Sequence, residues 1–239
     1  KISQTEQEAI DAGNVWWDAE LFTGNPNWEV LRSNPKAELP AEEQAFLDGP
    51  VNELCEMIDE WRVSHKDYDL PQEVYDFVKE KGFFSFIIPK EYGGLEFSPL
   101  GLIYVMAKIG SRSGTLASMV GVPNSLGPAE LLMHYGTDEQ KKELLPKLAS
   151  GEHVPCFALT GPYAGSDATS MPDTGIVCKG EFEGEEIIGI KLNFSKRYIT
   201  LAPIATLIGL AFKMYDPDHL IGETENYGIT CALLPKGTK

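Results

Sequence analysis

Two segments combine hydroxyl, aromatic and glycine residues in a way that suits a planar ligand with polar edges. The first, CFALTGPYAGSDAT (156–169), is typical of a strand that opens into a glycine-containing loop. Gly161 and Gly165 would let the backbone approach a flat or charged ligand, and free amides could bind a ring edge or a phosphate. Its hydroxyl groups belong to Thr160, Ser166 and Thr169. An ordinary β-turn with polar side chains is the alternative.

The second segment is KRYITLA (196–202), which is interpreted as part of a strand. Because side chains alternate along a strand, Tyr198 and Thr200 are expected on the same face. An aromatic face beside a hydroxyl suits a planar ring with polar edges. A cross-strand tyrosine–threonine pair without a ligand is the alternative.

Other common sites are not indicated by the sequence. The first segment lacks GxGxxG and Walker spacing, and Ser166 is not in a GxSxG elbow. The histidines form no HxxxH or HxH pair, so no metal site is expected. The cysteines lack CxxC spacing, which favours free thiols in a reducing compartment. They are Cys55, Cys156, Cys178 and Cys231.

The charge of the chain also excludes some partners. Thirty-six acidic and 20 basic residues give a net charge of −16, which opposes binding to nucleic acid or to an anionic membrane surface. The surplus acidic residues are expected to form a soluble acidic surface. The alternative is that they bind a basic patch on a protein partner. No run of 18 apolar residues predicts a transmembrane helix, and no signal peptide is recognisable. Because the sequence begins at Lys1 and stops after a strand-like run, both ends are expected to be cut.

An irregular arm is expected at residues 1–40, where tryptophans lie among glycines and prolines. A short helix is predicted near residues 5–12. Trp16, Trp17 and Trp28 are expected to grip a neighbouring surface, and an aromatic ligand pocket is the alternative.

Apolar spacing of three to four residues then predicts a helical domain over 41–150. Its helices are expected at 41–64, from Pro71 to Gly82, at 99–109, 114–122 and 125–135, and after a capping box at Thr137. Five strands are predicted beyond it, at 154–160, 174–182, 185–193, 197–211 and 227–234. The expected fold is therefore α+β: an N-terminal all-α helical domain, then a β-barrel-like or β-sandwich middle domain at 151–239.

The order of motifs resembles the acyl-CoA dehydrogenase family over roughly residues 41–239. The motifs are IPKEYGG (88–94), PNSLGP (123–128), YGTDEQKKELLPKLASGE (135–152), CFALTGPYAGSDA (156–168) and KRYITLA (196–202). The tryptophan-containing arm and the run YITLAPIATLIGLAF (198–212) resemble a long bacterial branch of that family, which acts in fatty-acid β-oxidation.

The resemblance implies that FAD lies between the middle domain and a further C-terminal helical domain. The positions that would bind FAD are Phe157, Leu159, Thr160, Ser166, Tyr198, Ile199 and Thr200. Thr160 would hydrogen-bond the flavin, Thr200 would approach its N5 edge, and Tyr198 stands where the family usually has tryptophan. Two further departures are Gly161, where a polar residue is usual, and Leu201, where asparagine is common.

The implied activity is α,β-dehydrogenation of a fatty acyl-CoA, with electrons passing to an electron-transfer flavoprotein. Substrate contacts would come from Ser166 and, at the floor of the acyl cavity, from Gly121 and Val122. The glutamate base is expected in the C-terminal domain, so none is assigned here. A homo-oligomeric full-length protein is expected in the cytoplasm, with association to the inner membrane left open. An acyl-CoA oxidase, a flavin monooxygenase and an inert module of the same fold are the alternatives.

Overall fold

The computed structural model describes residues 11–13, 17–125, 127–182 and 184–238. The chain divides into two compact units, Lys1–Pro40 and Ala41–Lys239. In the first unit, a 3-10 helix at Trp17–Thr23 precedes helix α1 (Trp28–Arg32). The rings of Trp17 and Trp28 pack 4.9 Å apart, and Trp17 Nε1 donates to the Asn27 carbonyl. Trp16 and most of the helix predicted near residues 5–12 lie outside the described residues.

The second unit begins with a helical part. Its helices are α2 (Ala41–Asp48), α3 (Pro50–Glu56), α4 (Glu60–Arg62), α5 (Gln72–Glu80), α6 (Pro99–Arg112), α7 (Gly114–Gly121), α8 (Pro128–Tyr135) and α9 (Asp138–Ala149).

Local sequence signals explain where these helices begin and end. The single helical stretch predicted at 41–64 is broken because Pro50 cannot continue α2 and instead starts α3. The predicted capping box is confirmed: Thr137 and Gln140 exchange side-chain hydrogen bonds with each other's backbone amides at the start of α9. Gly82, with φ of +78°, ends α5 as predicted.

A helical core forms between these helices and the segment that follows α5. It contains Val51, Leu54, Ile58, Val63, Leu70, Val74, Val78, Phe83, Phe84, Phe86, Val105, Ile109, Leu116, Met119, Val120 and Val154. The buried polar side chain of Asn124 lies beside this core. Asn124 is 4% exposed; its Nδ2 donates to the carbonyls of Phe83 (2.6 Å) and Val120 (2.9 Å). Its Oδ1 accepts from the Phe86 amide (2.8 Å), so one side chain ties the phenylalanine-rich loop to the end of α7.

The strands form one mixed sheet. They are β1 (Pro155–Ala158), β2 (Thr174–Phe182), β3 (Glu185–Asn193), β4 (Leu207–Tyr215) and β5 (Asn226–Pro235). Strand β5 pairs antiparallel along one edge of β4. The other edge of β4 pairs in parallel with β1 over its first half and with β2 at its end, and β3 extends the sheet beyond β2. The predicted α+β class, with helices before strands, is confirmed.

Apolar residues of β4 join the sheet to the helices. Leu207 shares a core with Ile88 and with buried residues of α8 and α9. On the other face, Leu210 and Phe212 pack with Val177 of β2. The helical core also includes Val154, which lies beyond the domain boundary expected near residue 150. That boundary stays a prediction. Within the described ranges, no helix has both the length and the apolar character needed to cross a bilayer.

A buried carboxylate organises the loop between β4 and β5. Asp216 is fully buried and accepts the backbone amides of Leu220 and Ile221, each at 2.9 Å. Burial raises the pKa of this carboxyl, but the amides of Ile221 and Leu220, with smaller contributions from His219 and Gly222, together outweigh it, and the net pKa of Asp216 is lowered.

We predict that Asn124→Ala lowers the free energy of unfolding by about 2–4 kcal/mol, because it leaves one buried amide and two buried carbonyls without a partner. Urea denaturation of the purified protein measures this. Ser125→Ala is the matched control, since the exposed Ser125 hydroxyl makes one local bond to the Val122 carbonyl. An equal loss of stability in both variants would contradict the role given to Asn124.

A second prediction concerns pH. Because the pKa of Asp216 is lower in the folded state, its stabilising contribution is complete above the unfolded value of about 3.9 and is lost as pH falls through the folded value. Asp216→Asn should therefore lower stability near neutral pH and reduce the loss of stability below about pH 5. Urea denaturation at several pH values measures both effects. Parallel pH profiles for the two proteins would refute the prediction.

Candidate functional site

The first candidate segment runs from β1 into a loop that packs on the sheet. It leaves β1 after Ala158 and reaches β2 at Thr174. Ala164 and Met171 of this loop are buried against Ala211 of β4. The same cluster includes Phe157 and Leu159, which are partly buried, so these two candidate flavin-binding positions pack against the sheet.

The second candidate segment is not a strand, which corrects the prediction for 197–211. Residues 194–206 form a loop and turns, and β4 begins only at Leu207. Tyr198 and Leu201 have φ of +58° and +66°, in the left-handed region, so the alternation expected of Tyr198 and Thr200 does not apply. The segment leaves the strand conformation because Leu201 and Ile204 pack against the helical core.

The structure nevertheless brings the two segments together. The Arg197 amide donates to the Thr160 carbonyl at 3.1 Å. Lys196 Nζ donates to the Leu159 carbonyl at 2.9 Å. A β-carbon on the buried Gly161 would lie 3.1 Å from the Ser195 carbonyl oxygen, which is tighter than ordinary van der Waals contact. Glycine at 161 therefore permits this close approach.

A buried ion pair that the sequence analysis missed lies at this junction. Lys196 Nζ is 2.6 Å from Asp173 Oδ2, and the two side chains are 5% and 1% exposed. Asp173 Oδ1 also accepts the Ser195 amide at 2.8 Å. Lys196 belongs to the quoted motif KRYITLA, but no sequence spacing points to a partner 23 residues earlier.

The aromatic and hydroxyl side chains of the two candidate segments are at least partly accessible to solvent. The Tyr198 ring is 81% exposed, with the Arg197 guanidinium carbon 4.8 Å from its centre. Ser166 and Thr200 are exposed and Thr160 is half-buried. Across the described part of the chain, the hydroxyl groups of these three residues have no hydrogen-bond partner. An exposed aromatic face with a free hydroxyl two residues along the chain, at Thr200, and another on the adjoining segment, at Thr160, fits a planar ligand with polar edges.

Asp167, which follows Ser166, has a local structural role. Its carboxylate accepts the hydroxyl groups of Ser170 and Thr169. These bonds, that of Ser170 first, hold the pKa of Asp167 below its usual range. The hydroxyl of Thr169 is therefore committed to the turn, unlike that of Ser166.

The substrate candidates lie in the helical part. Gly121 ends α7 and Val122 follows it, both half-buried. A β-carbon at Gly121 would lie 3.1 Å from Met106 Cε, so glycine permits close packing against α6. Val120 belongs to the same core that Leu201 contacts. The roles of all candidate site residues stay predictions. Over the described ranges, no three histidine, cysteine or acidic side chains are grouped so as to hold a metal ion.

We predict that Gly161→Val lowers the free energy of unfolding by about 1–3 kcal/mol, because the added side chain must displace the Ser195 backbone. Gly165→Val is the matched control in the same loop: a β-carbon there meets no atom within 4 Å, and a change within about 0.5 kcal/mol is expected. Thermal unfolding compares the two. Equal destabilisation would show that the contact at residue 161 is not what requires glycine.

Known proteins that are similar to this chain include acyl-CoA dehydrogenases. The family model "Acyl-CoA dehydrogenase, N-terminal domain" matches residues 41–152. An acyl-CoA dehydrogenase of Bacillus subtilis is 29% identical over 189 residues, covering 79% of this chain and 44% of the relative. Subunit CarC of the caffeyl-CoA reductase–Etf complex of Acetobacterium woodii is 35% identical over 136 residues, covering 57% of this chain and 34% of the relative.

Similarity extends to solved structures. The FAD complex of PigA aligns with a TM-score of 0.67 and 26% identity, over 85% of this chain and 50% of that chain. The chain thus spans half or less of the length of these similar proteins. Residues 41–152 belong to the acyl-CoA dehydrogenase N-terminal domain family, and the chain carries the N-terminal and middle portions of the acyl-CoA dehydrogenase fold.

Proposed function

We propose that this chain forms part of an FAD-dependent oxidoreductase that dehydrogenates fatty acyl-CoA thioesters at the α,β position. The observation that carries the proposal is the direct backbone contact between Thr160 and Arg197, which places two segments with free hydroxyls and an exposed aromatic ring side by side. Support comes from the similar acyl-CoA dehydrogenase of Bacillus subtilis and from the similar fold of PigA, which was solved as an FAD complex.

The residues of this chain would hold and orient the cofactor. The Thr160 and Thr200 hydroxyls would hydrogen-bond polar edges of the flavin ring, and the exposed Tyr198 ring would lie against its face. Phe157 and Leu159 would line the apolar side of the flavin site, and Ile199 packs against the core of the sheet. When bound, FAD would supply the hydride acceptor for the β-carbon of the substrate.

Ser166 is proposed to contact FAD or the acyl-CoA, and Gly121 and Val122 to bound the acyl cavity. A cavity next to two small or medium apolar residues would admit a long apolar chain. Removal of the α-proton requires a base. We assign that role to a glutamate outside these 239 residues, since the chain spans less than half of its dehydrogenase relative.

An electron-transfer flavoprotein is proposed as the electron acceptor. One relative is named as a subunit of a reductase–Etf complex, which supports a partnership of this kind. Reduction of an enoyl-CoA, the reverse of this dehydrogenation, is the second candidate function, because that same relative is named as a subunit of a caffeyl-CoA reductase complex.

The full-length protein tests this proposal. It is expected to contain FAD, to reduce an electron-accepting dye with fatty acyl-CoA thioesters, and to consume little oxygen. Hydrogen peroxide release would instead indicate an oxidase, and dye-independent reduction of an enoyl-CoA by an external donor would favour the reductase. A full-length protein that binds no FAD would refute the proposal.

We further predict that Thr160→Val and Thr200→Val each weaken FAD binding about tenfold, because each removes one hydrogen bond to the ring at nearly constant volume. Titration of the full-length apoprotein with FAD measures the dissociation constants. Thr230→Val is the matched control, since Thr230 lies on β5 and its hydroxyl donates to the nearby Gly228 carbonyl. Unchanged FAD affinity in both test variants would remove these residues from the site.

A further inference from the structure

The Lys196–Asp173 ion pair differs from the other salt bridges of the described chain. Each partner of those other pairs is at least 34% exposed. Lys196 and Asp173 are 5% and 1% exposed, with 2.6 Å between Nζ and Oδ2. Surface pairs contribute little to stability, whereas a buried pair requires that both charges find further hydrogen-bond partners.

Both charges find such partners, one in the first candidate segment and one directly before the second. Lys196 Nζ also donates to the Leu159 carbonyl at 2.9 Å. Asp173 Oδ1 accepts the Ser195 amide at 2.8 Å. The backbone carbonyl of Asp173 in turn accepts the Lys213 amide of β4 at 2.9 Å, which anchors the carboxylate to the sheet.

Lys196 precedes Tyr198 by two residues and binds the carbonyl of Leu159, the residue before Thr160. Consecutive carbonyls, of Leu159 and Thr160, are bound by the side chain of Lys196 and the amide of Arg197. Tyr198 follows directly and has a left-handed backbone, which costs of the order of 1 kcal/mol and persists only where neighbours impose it. The pair therefore sets the position of Thr160 relative to Tyr198.

We infer that Lys196 and Asp173 are positioning residues of the flavin site, which hold the Thr160 loop and the Tyr198 segment at the separation that the ring requires. The inference rests on the proposed function. The buried charges touch no reacting atom. A buried ion pair is often replaceable by apolar groups without loss of stability, so its specific contribution here is geometry.

The experiment uses the full-length protein and compares four variants with the wild type. Lys196→Met removes the charge, Lys196→Arg keeps a cation, and Lys196→Met with Asp173→Asn removes both charges but keeps an acceptor for the Ser195 amide. Lys236→Met is the matched control, because Lys236 Nζ donates to the Pro203 carbonyl of the same connecting loop but is exposed. The readouts are the FAD dissociation constant, the visible absorption spectrum of bound FAD, and urea unfolding of the apoprotein.

Lys196→Met should weaken FAD binding about tenfold or more and shift the flavin spectrum, whereas Lys236→Met should change the constant less than about twofold. Lys196→Arg should recover part of the affinity. The double variant should recover apoprotein stability, because no unpaired buried charge remains, but not the affinity or the spectrum.

Native FAD affinity and spectrum in the double variant would overturn the inference, since the pair would then act on stability alone. The double variant also decides the matter if Lys196→Met fails to fold. A wild-type protein without FAD would mark failure of the proposed function itself, which is a separate outcome.

Discussion

The contact between the Lys196 ammonium and the Asp173 carboxylate holds together two loops that the sheet alone does not pair. Strand β4 supports both loops: Ala164 and Met171 of the first pack on Ala211, and Ile199 of the second packs against the cluster of Leu210 and Phe212. The ion pair then joins the two loops: Lys196 also binds the Leu159 carbonyl, and Asp173 also binds the amide of Ser195, which directly precedes the second segment. Together with the hydrogen bond from the Arg197 amide to the Thr160 carbonyl, this contact holds the free hydroxyl of Thr160 near the segment that carries the exposed Tyr198 ring.

Local patterns in the sequence predicted much of this fold. Strands β2 and β3 lie where they were predicted, at 174–182 and 185–193, because a short turn containing Gly184 joins two strand-like runs of equal length. The capping box at Thr137 and the glycine stop at Gly82 were equally local signals. Such signals depend on neighbours within a few residues, and they are reliable for that reason.

Those local patterns could not predict contacts between residues that are distant in the sequence. The apolar run at 198–212 resembles one long strand, yet Leu201 and Ile204 contact the helical core and only the part from Leu207 enters the sheet. Leu201 occupies a left-handed position where asparagine is common in the family that the chain resembles, and asparagine tolerates that backbone better. Packing against the helices thus outweighs local backbone preference, and a similar long-range contact pairs Asp173 with Lys196.

The shared cores have a consequence for how the chain folds. Val154, next to β1, completes the helical core, and Leu207 of β4 completes the core of α8 and α9. A protein cut between α9 and β1 would leave each piece with an unfilled apolar surface exposed to water. The helices and the sheet of residues 41–239 should consequently melt in one cooperative transition, and a protease acting in the turn at 150–153 should release no piece that stays folded alone.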